Sequence, residues 1–178
     1  MVRVTISLAL VTLLGVAWHA SAQTKEAPVK EYISDKGKFK TVLPGKPSLT
    51  SKDLSIGRDG VTVPVTTERV ETATRAILSV SYADYPEAFR EVPPKAILDG
   101  VRDGLKGSDG KISDETEIRF GPGKHPGREL RIVAGKNVIR ARIVLVGTRL
   151  YEVMITGSKD AVSSSSAEAF WNGFEVLR

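Results

Sequence analysis

Alternating apolar and polar residues dominate the chain from Glu31 onward. Tyr32-Ile33 and Phe39 to Leu43 flank Asp35-Lys36-Gly37-Lys38, and Ser48 to Ile56 and Val61 to Glu71 flank Gly57-Arg58-Asp59-Gly60. Short strand-forming runs bounded by turn formers predict two hairpins. In the second, Pro64 interrupts the alternation of Val61, Val63 and Val65 with Thr62 and Thr66. A proline cannot donate to a ladder, so this strand is expected at an edge or a bulge. Arg75 to Tyr85 places Ala76, Leu78, Val80 and Tyr82 on one face. The period then changes. Ile97, Leu98, Val101 and Leu105 follow Pro93-Pro94 at helical spacing, with Asp99, Arg102, Asp103 and Lys106 on the other side and Gly107 as the stop. Four more strands are predicted, Lys111 to Phe120, Arg128 to Ala134, Asn137 to Val146 and Arg149 to Thr156. A last helix is expected from about Asp160 to Asn172, with Ala167, Phe170, Trp171 and Phe174 in one stripe.

Two-residue turns at Gly135-Lys136 and Gly147-Thr148 fix a register for the late strands. Leu130 then faces Ala141 and Ile132 faces Ile139, while Glu129 faces Arg142 and Arg131 faces Arg140 on the other side. Leu145 falls opposite Leu150 and Val144 opposite Tyr151, with Val153 and Ile155 on the arginine side. Both faces therefore carry apolar residues and both need covering. The expected fold is α+β, a mostly antiparallel sheet flanked by helices as an α/β/α sandwich.

The N-terminus is of another kind. Arg3 is followed by a largely apolar run from Val4 to Trp18 and by Ala20-Ser21-Ala22, the pattern of an export signal cleaved before Gln23. The run is shorter than the ~20 residues that span a bilayer. The expected organisation is a signal peptide over 1–22, a leader over 23–30 and a single domain over 31–178, exported to the periplasm or beyond, with no transmembrane segment in the mature protein. The mature chain would hold 25 Lys and Arg against 21 Asp and Glu, a net charge of +4.

Composition narrows the chemistry. The chain of 178 residues has no cysteine, which excludes disulfides, thiolate metal sites and cysteine nucleophiles. One of its two histidines lies in the signal, leaving His125 in the glycine- and proline-rich Gly121 to Gly127. Neither that loop nor Gly110-Lys111 has the spacing of a nucleotide fingerprint. Asp84, Asp99, Asp103 and Glu129 are the carboxylates available for acid–base work, and a D-x-D-x-D-G calcium ladder is absent. Charge concentrates between Lys124 and Arg149, where seven basic residues accompany Glu129 alone. Like charges opposite one another across strands are destabilising, so the Arg131–Arg140 pair needs an anion. Glu129 or a helix carboxylate supplies it internally. Externally, Arg131, Arg140, Arg142, Arg128 and Lys136 would form a site for an acidic protein, an anionic lipid or a cell-wall polymer. Nucleic acid is not expected, because no aromatic residues interleave with the basic ones.

Several pieces carry a resemblance. They are Phe39-x-x-x-Leu43-Pro44-Gly45-Lys46-Pro47, then Leu78-x-Val80-x-Tyr82-x-Asp84-Tyr85-Pro86, and Gly127-Arg128-Glu129-Leu130. Arg142-x-x-Leu145-Val146-Gly147-x-Arg149-Leu150-Tyr151 and Phe170-x-x-x-Phe174 complete the set. Together they resemble the small exported bacterial proteins of the PsbP-like α/β sandwich superfamily over nearly all of residues 31–178. The resemblance implies a non-catalytic binding or accessory domain, placed by the export signal in the cell envelope; no cofactor or metal is expected from the residues. Photosynthetic members of the superfamily assist an oxygen-evolving centre and a eukaryotic relative binds a nuclear-transport GTPase; no residue pattern here transfers either role. The competing expectations are an envelope enzyme that gathers two of the named carboxylates in one pocket, and a structural domain of an oligomer.

Overall fold

The computed structural model describes residues 27–56 and 60–177. The expected signal peptide, most of the leader and the tip Gly57 to Asp59 lie outside the described residues. The strands are β1 (Lys30–Ser34), β2 (Phe39–Leu43), β3 (Ser48–Ile56), β4 (Val61–Glu71), β5 (Ile77–Asp84), β6 (Lys111–Phe120), β7 (His125–Ala134), β8 (Asn137–Val146), β9 (Arg149–Gly157) and β10 (Glu175–Val176). The helices are α1 (Pro94–Lys106) and α2 (Ser165–Gly173), each preceded by a short 3-10 turn, Glu87–Glu91 and Ala161–Ser163.

Seven strands form one antiparallel sheet in the order β3-β4-β5-β9-β8-β7-β6. Its late register is the one the glycine turns dictate: Leu130 faces Ala141, Arg131 faces Arg140 and Leu145 faces Leu150. Gly135 and Gly147 have φ of 61° and 62°, the left-handed conformation that two-residue hairpin turns require. One face packs Leu78, Val80, Tyr151, Val153 and Ile155 against Phe170, Trp171 and Phe174. The other packs Ile143, Leu145 and Leu150 against Ile97 and Leu98 of α1. The α+β sandwich is thus present, with a helix on either side. Among the described residues no helix is long and apolar enough to cross a membrane.

Four details depart from the sequence reading. The first hairpin stays out of the main sheet; β1 and β2 join β10 in a three-stranded sheet on the α2 side. The second departure is Pro64, which sits on an inner strand. The pairing of β4 with β5 ends at Thr66–Tyr82, however, so Pro64 lies where β4 has only β3 beside it and forms a local edge. The last helix is also shorter than expected. Ser164 is extended between the 3-10 turn and α2, at the helix N-cap, where its hydroxyl meets the Thr74 and Ser166 side chains and makes no cap bond. Phe174 is therefore extended, yet it is buried with the rest of its stripe. Finally, β7 begins at His125 because β6 holds the chain as far as the Phe120–His125 pair.

Candidate functional site

The basic residues occupy both faces of the main sheet. Arg128 is 4% exposed on the α1 face, where Asp99 of α1 and Glu115 of β6 both accept from its guanidinium. Arg140 and Arg142 lie on the α2 face. Glu168 and the Val162 carbonyl accept from Arg140. Arg142 donates to Glu129 at 2.8 Å and to the Trp171 carbonyl at 2.9 Å. Both guanidinium groups stack on the Trp171 ring, at 4.7 and 4.3 Å, and Arg142 also on Phe120. The anion that the Arg131–Arg140 pair calls for is therefore met from inside, by Glu168. Arg131 is partly exposed and faces Asp114 across β6. Lys136 is exposed at a hairpin tip. Among the described residues neither has a side-chain ion pair. The five residues are thus divided between two faces, and three of them already hold carboxylates.

The candidate catalytic carboxylates are divided likewise. Arg149 grips Asp84 through two 2.6 Å bonds, and that contact holds the carboxyl below its usual range. Asp103 pairs with Arg102, Asp99 with Lys95, Arg102 and Arg128, and Glu129 with Arg142. His125 begins β7 beside Gly123. Among the described residues no group of three or more His, Asp or Glu could hold a metal ion.

A roomy concavity lies elsewhere. Freed from β5 beyond Thr66, the end of the β3–β4 hairpin bends over the α1 face. It brings Leu54 and Ile56 over to Glu152 of β9, although β4 and β5 lie between these strands. The opposite wall is α1. Pro94 at its first turn and amphipathic spacing orient Ile97, Val101 and Leu105 inward, and Ala96, Gly100 and Gly104 leave room beside them. Tyr85, Phe89 and Val92 close one end, the two rings meeting edge-on at 5.1 Å. A bond from the Tyr85 N–H to the Thr148 carbonyl at 2.9 Å fixes this corner. The cavity measures ≈ 610 Å³.

Among the described residues Glu152 is its one charged group. The strand register sets it between Ser81 and Ile143. Among the described residues no hydrogen bond or ion pair reaches its carboxylate. Burial raises its pKa above the ordinary 4.5. Burial, then the nearby Glu152 charge, also push the Tyr85 phenol up. The folded chain thus binds the Glu152 proton more tightly than the unfolded chain does. Stability is lost as pH rises from the ordinary value through the raised one. Glu152→Gln should therefore stabilise the fold at neutral pH. Below the ordinary glutamate range the gain should vanish, which urea unfolding on either side of that range would show.

The glycines make a parallel point. A Cβ at Gly100 or Gly104 would meet nothing within 4 Å. Glycine inside a helix costs about 0.5–1 kcal/mol relative to alanine. Gly100→Ala should raise stability by about that amount in thermal melts; a decrease would show that the space is not open. The sequence reading passed over this site. Its signal was a lone acid, Glu152, on the same face as Leu150, Met154 and Ile143, and two glycines four residues apart on the apolar side of α1.

No family model and no curated protein matches the chain. Among solved structures, the chain is similar to the solution structure of cyanobacterial PsbP (CyanoP) from Synechocystis sp. PCC 6803. The TM-score is 0.50 at 16% identity, covering 85% of this chain and 94% of that one. The fold is PsbP-like. A Pseudomonas aeruginosa protein of unknown function aligns at TM-score 0.40 and 11% identity over 81% of this chain and 91% of its own. The first likeness bears on architecture, and the second adds no argument. Within the PsbP-like frame, the cleft between α1 and the bent hairpin is where this chain's own side chains leave room for a ligand.

Proposed function

We propose that this chain is an exported, non-catalytic binding module of the cell envelope, and that its ligand seats in the cleft between α1 and the end of β3. One observation carries the reading: a cavity of ≈ 610 Å³ with apolar walls holds a single carboxylate that no group among the described residues engages. Small-molecule sites commonly have ~300–1,000 Å³, mostly apolar walls and a few polar groups that orient the ligand. The named carboxylates, each held by an arginine, support a binding role over acid–base chemistry, and the apolar run followed by Ala20-Ser21-Ala22 supports export. A neutral fluorescent probe, N-phenyl-naphthylamine, tests the site. The protein should enhance its emission, and Gly100→Leu, which extends a side chain into the open space, should abolish the enhancement while Gly100→Ala folds and retains part of it. Enhancement unchanged by Gly100→Leu would refute the assignment.

A second reading rests on Arg131 and Lys136, the two basic candidates without ion pairs among the described residues. They support contact with an anionic partner at the β7–β8 hairpin. Binding to anionic vesicles should then fall with salt and with the double substitution Arg131→Ala, Lys136→Ala.

A further inference from the structure

We infer that the cleft selects cationic amphiphiles, an apolar tail lying along α1 and a protonated amine meeting the Glu152 carboxylate. The inference rests on reading the cleft as a ligand site and adds the chemistry of the ligand. Any molecule that fills the cavity displaces the water still touching Glu152, and a carboxylate stripped of water without a partner is costly. A neutral ligand leaves that cost standing. An anionic one adds a like charge against apolar walls, where charges are screened less than in open water. An ammonium group removes the cost by pairing with it.

Among the described residues no cation pairs with Glu152. Lys95, Arg102 and Arg128 are occupied by Asp99, Asp103 and Glu115 around the other side of α1, and Arg149 by Asp84. The neighbouring aromatic pair also suits a cation. Tyr85 and Phe89 line the same cavity as Glu152, and ring faces attract ammonium groups. The remaining walls, Leu54, Ile56, Ile97, Val101 and Leu105, offer an alkyl chain contact without a polar group to leave unsatisfied.

Calorimetric titration of the protein at neutral pH with decylamine, decanol and decanoate, each below its aggregation threshold, separates the claims. Decylammonium should bind most tightly. Glu152→Gln, which preserves shape, should weaken it about thirtyfold, the loss expected on removing one partner of an enclosed charge pair. The same substitution should bring decanol and decylammonium to similar affinity. If all three bind equally and Gly100→Leu removes all three, charge selection is wrong and the cleft remains a site. If binding is absent, or indifferent to Gly100→Leu, the cleft reading fails as well.

Discussion

Arg142→Ala is expected to lower the stability of the fold by about 3 kcal/mol, read from urea unfolding. The residue is 9% exposed, and its guanidinium joins Glu129, the Trp171 carbonyl and two aromatic rings. Removing one partner of a buried charge pair strands the other and typically costs ~3–5 kcal/mol. The lower end applies here because Glu129 retains some contact with water. Arg131→Ala, on the neighbouring strand of the same basic window, should change stability by less than about 0.5 kcal/mol, as surface substitutions usually do. A neutral Arg142→Ala would mean that α2 is not held to the sheet by this network, and the arginine would be free to serve a ligand.

Phe39→Ala should be more damaging still, at about 4 kcal/mol. Phe39 is fully buried where the small sheet meets the large one, with Tyr82, Phe174 and Tyr32 rings 6.3, 5.7 and 6.4 Å away. Polar ties also cross this junction, among them bonds from the Arg149 guanidinium to the Lys36 and Gly37 carbonyls at 3.1 and 3.3 Å. Ser34 donates to Glu68 at 2.6 Å, and the Tyr151 hydroxyl donates to the Gly37 carbonyl at 2.8 Å. Loss of the Phe39 ring should therefore loosen β1 and β2 before the main sheet, visible as early amide exchange in residues 30–43. Uniform exchange across both sheets would show that the two unfold as one.

What the sequence revealed follows from the range of the forces involved. Gly135-Lys136 and Gly147-Thr148 set strand register locally, so the pairing of Arg131 with Arg140 and of Leu145 with Leu150 was readable from spacing alone. Helix α1 was readable from its apolar period and its prolines. The partners of the arginines were not. Asp99, Glu115 and Glu168 come from α1, β6 and α2, and only the packing of those elements brings their carboxylates to Arg128 and Arg140. The two-residue strand β10 pairs with β2 from the far end of the chain, beyond the reach of any local pattern. The cleft was hidden for the same reason. It depends on a hairpin that leaves β5 after Thr66 and carries Leu54 toward Glu152, nearly a hundred positions later in the chain. Glu152 itself was visible as an acid on an apolar face, though its lack of a partner among the described residues was not.

The most direct measurement of the central claim is a map of backbone amide shifts as decylamine is added to the isotopically labelled protein. The account predicts that saturable changes gather on Ile56, Tyr85 to Val92, Ala96 to Leu105 and Glu152, leaving Arg131 and Lys136 still. Changes centred on the β7–β8 hairpin, or spread evenly over the surface, would contradict it.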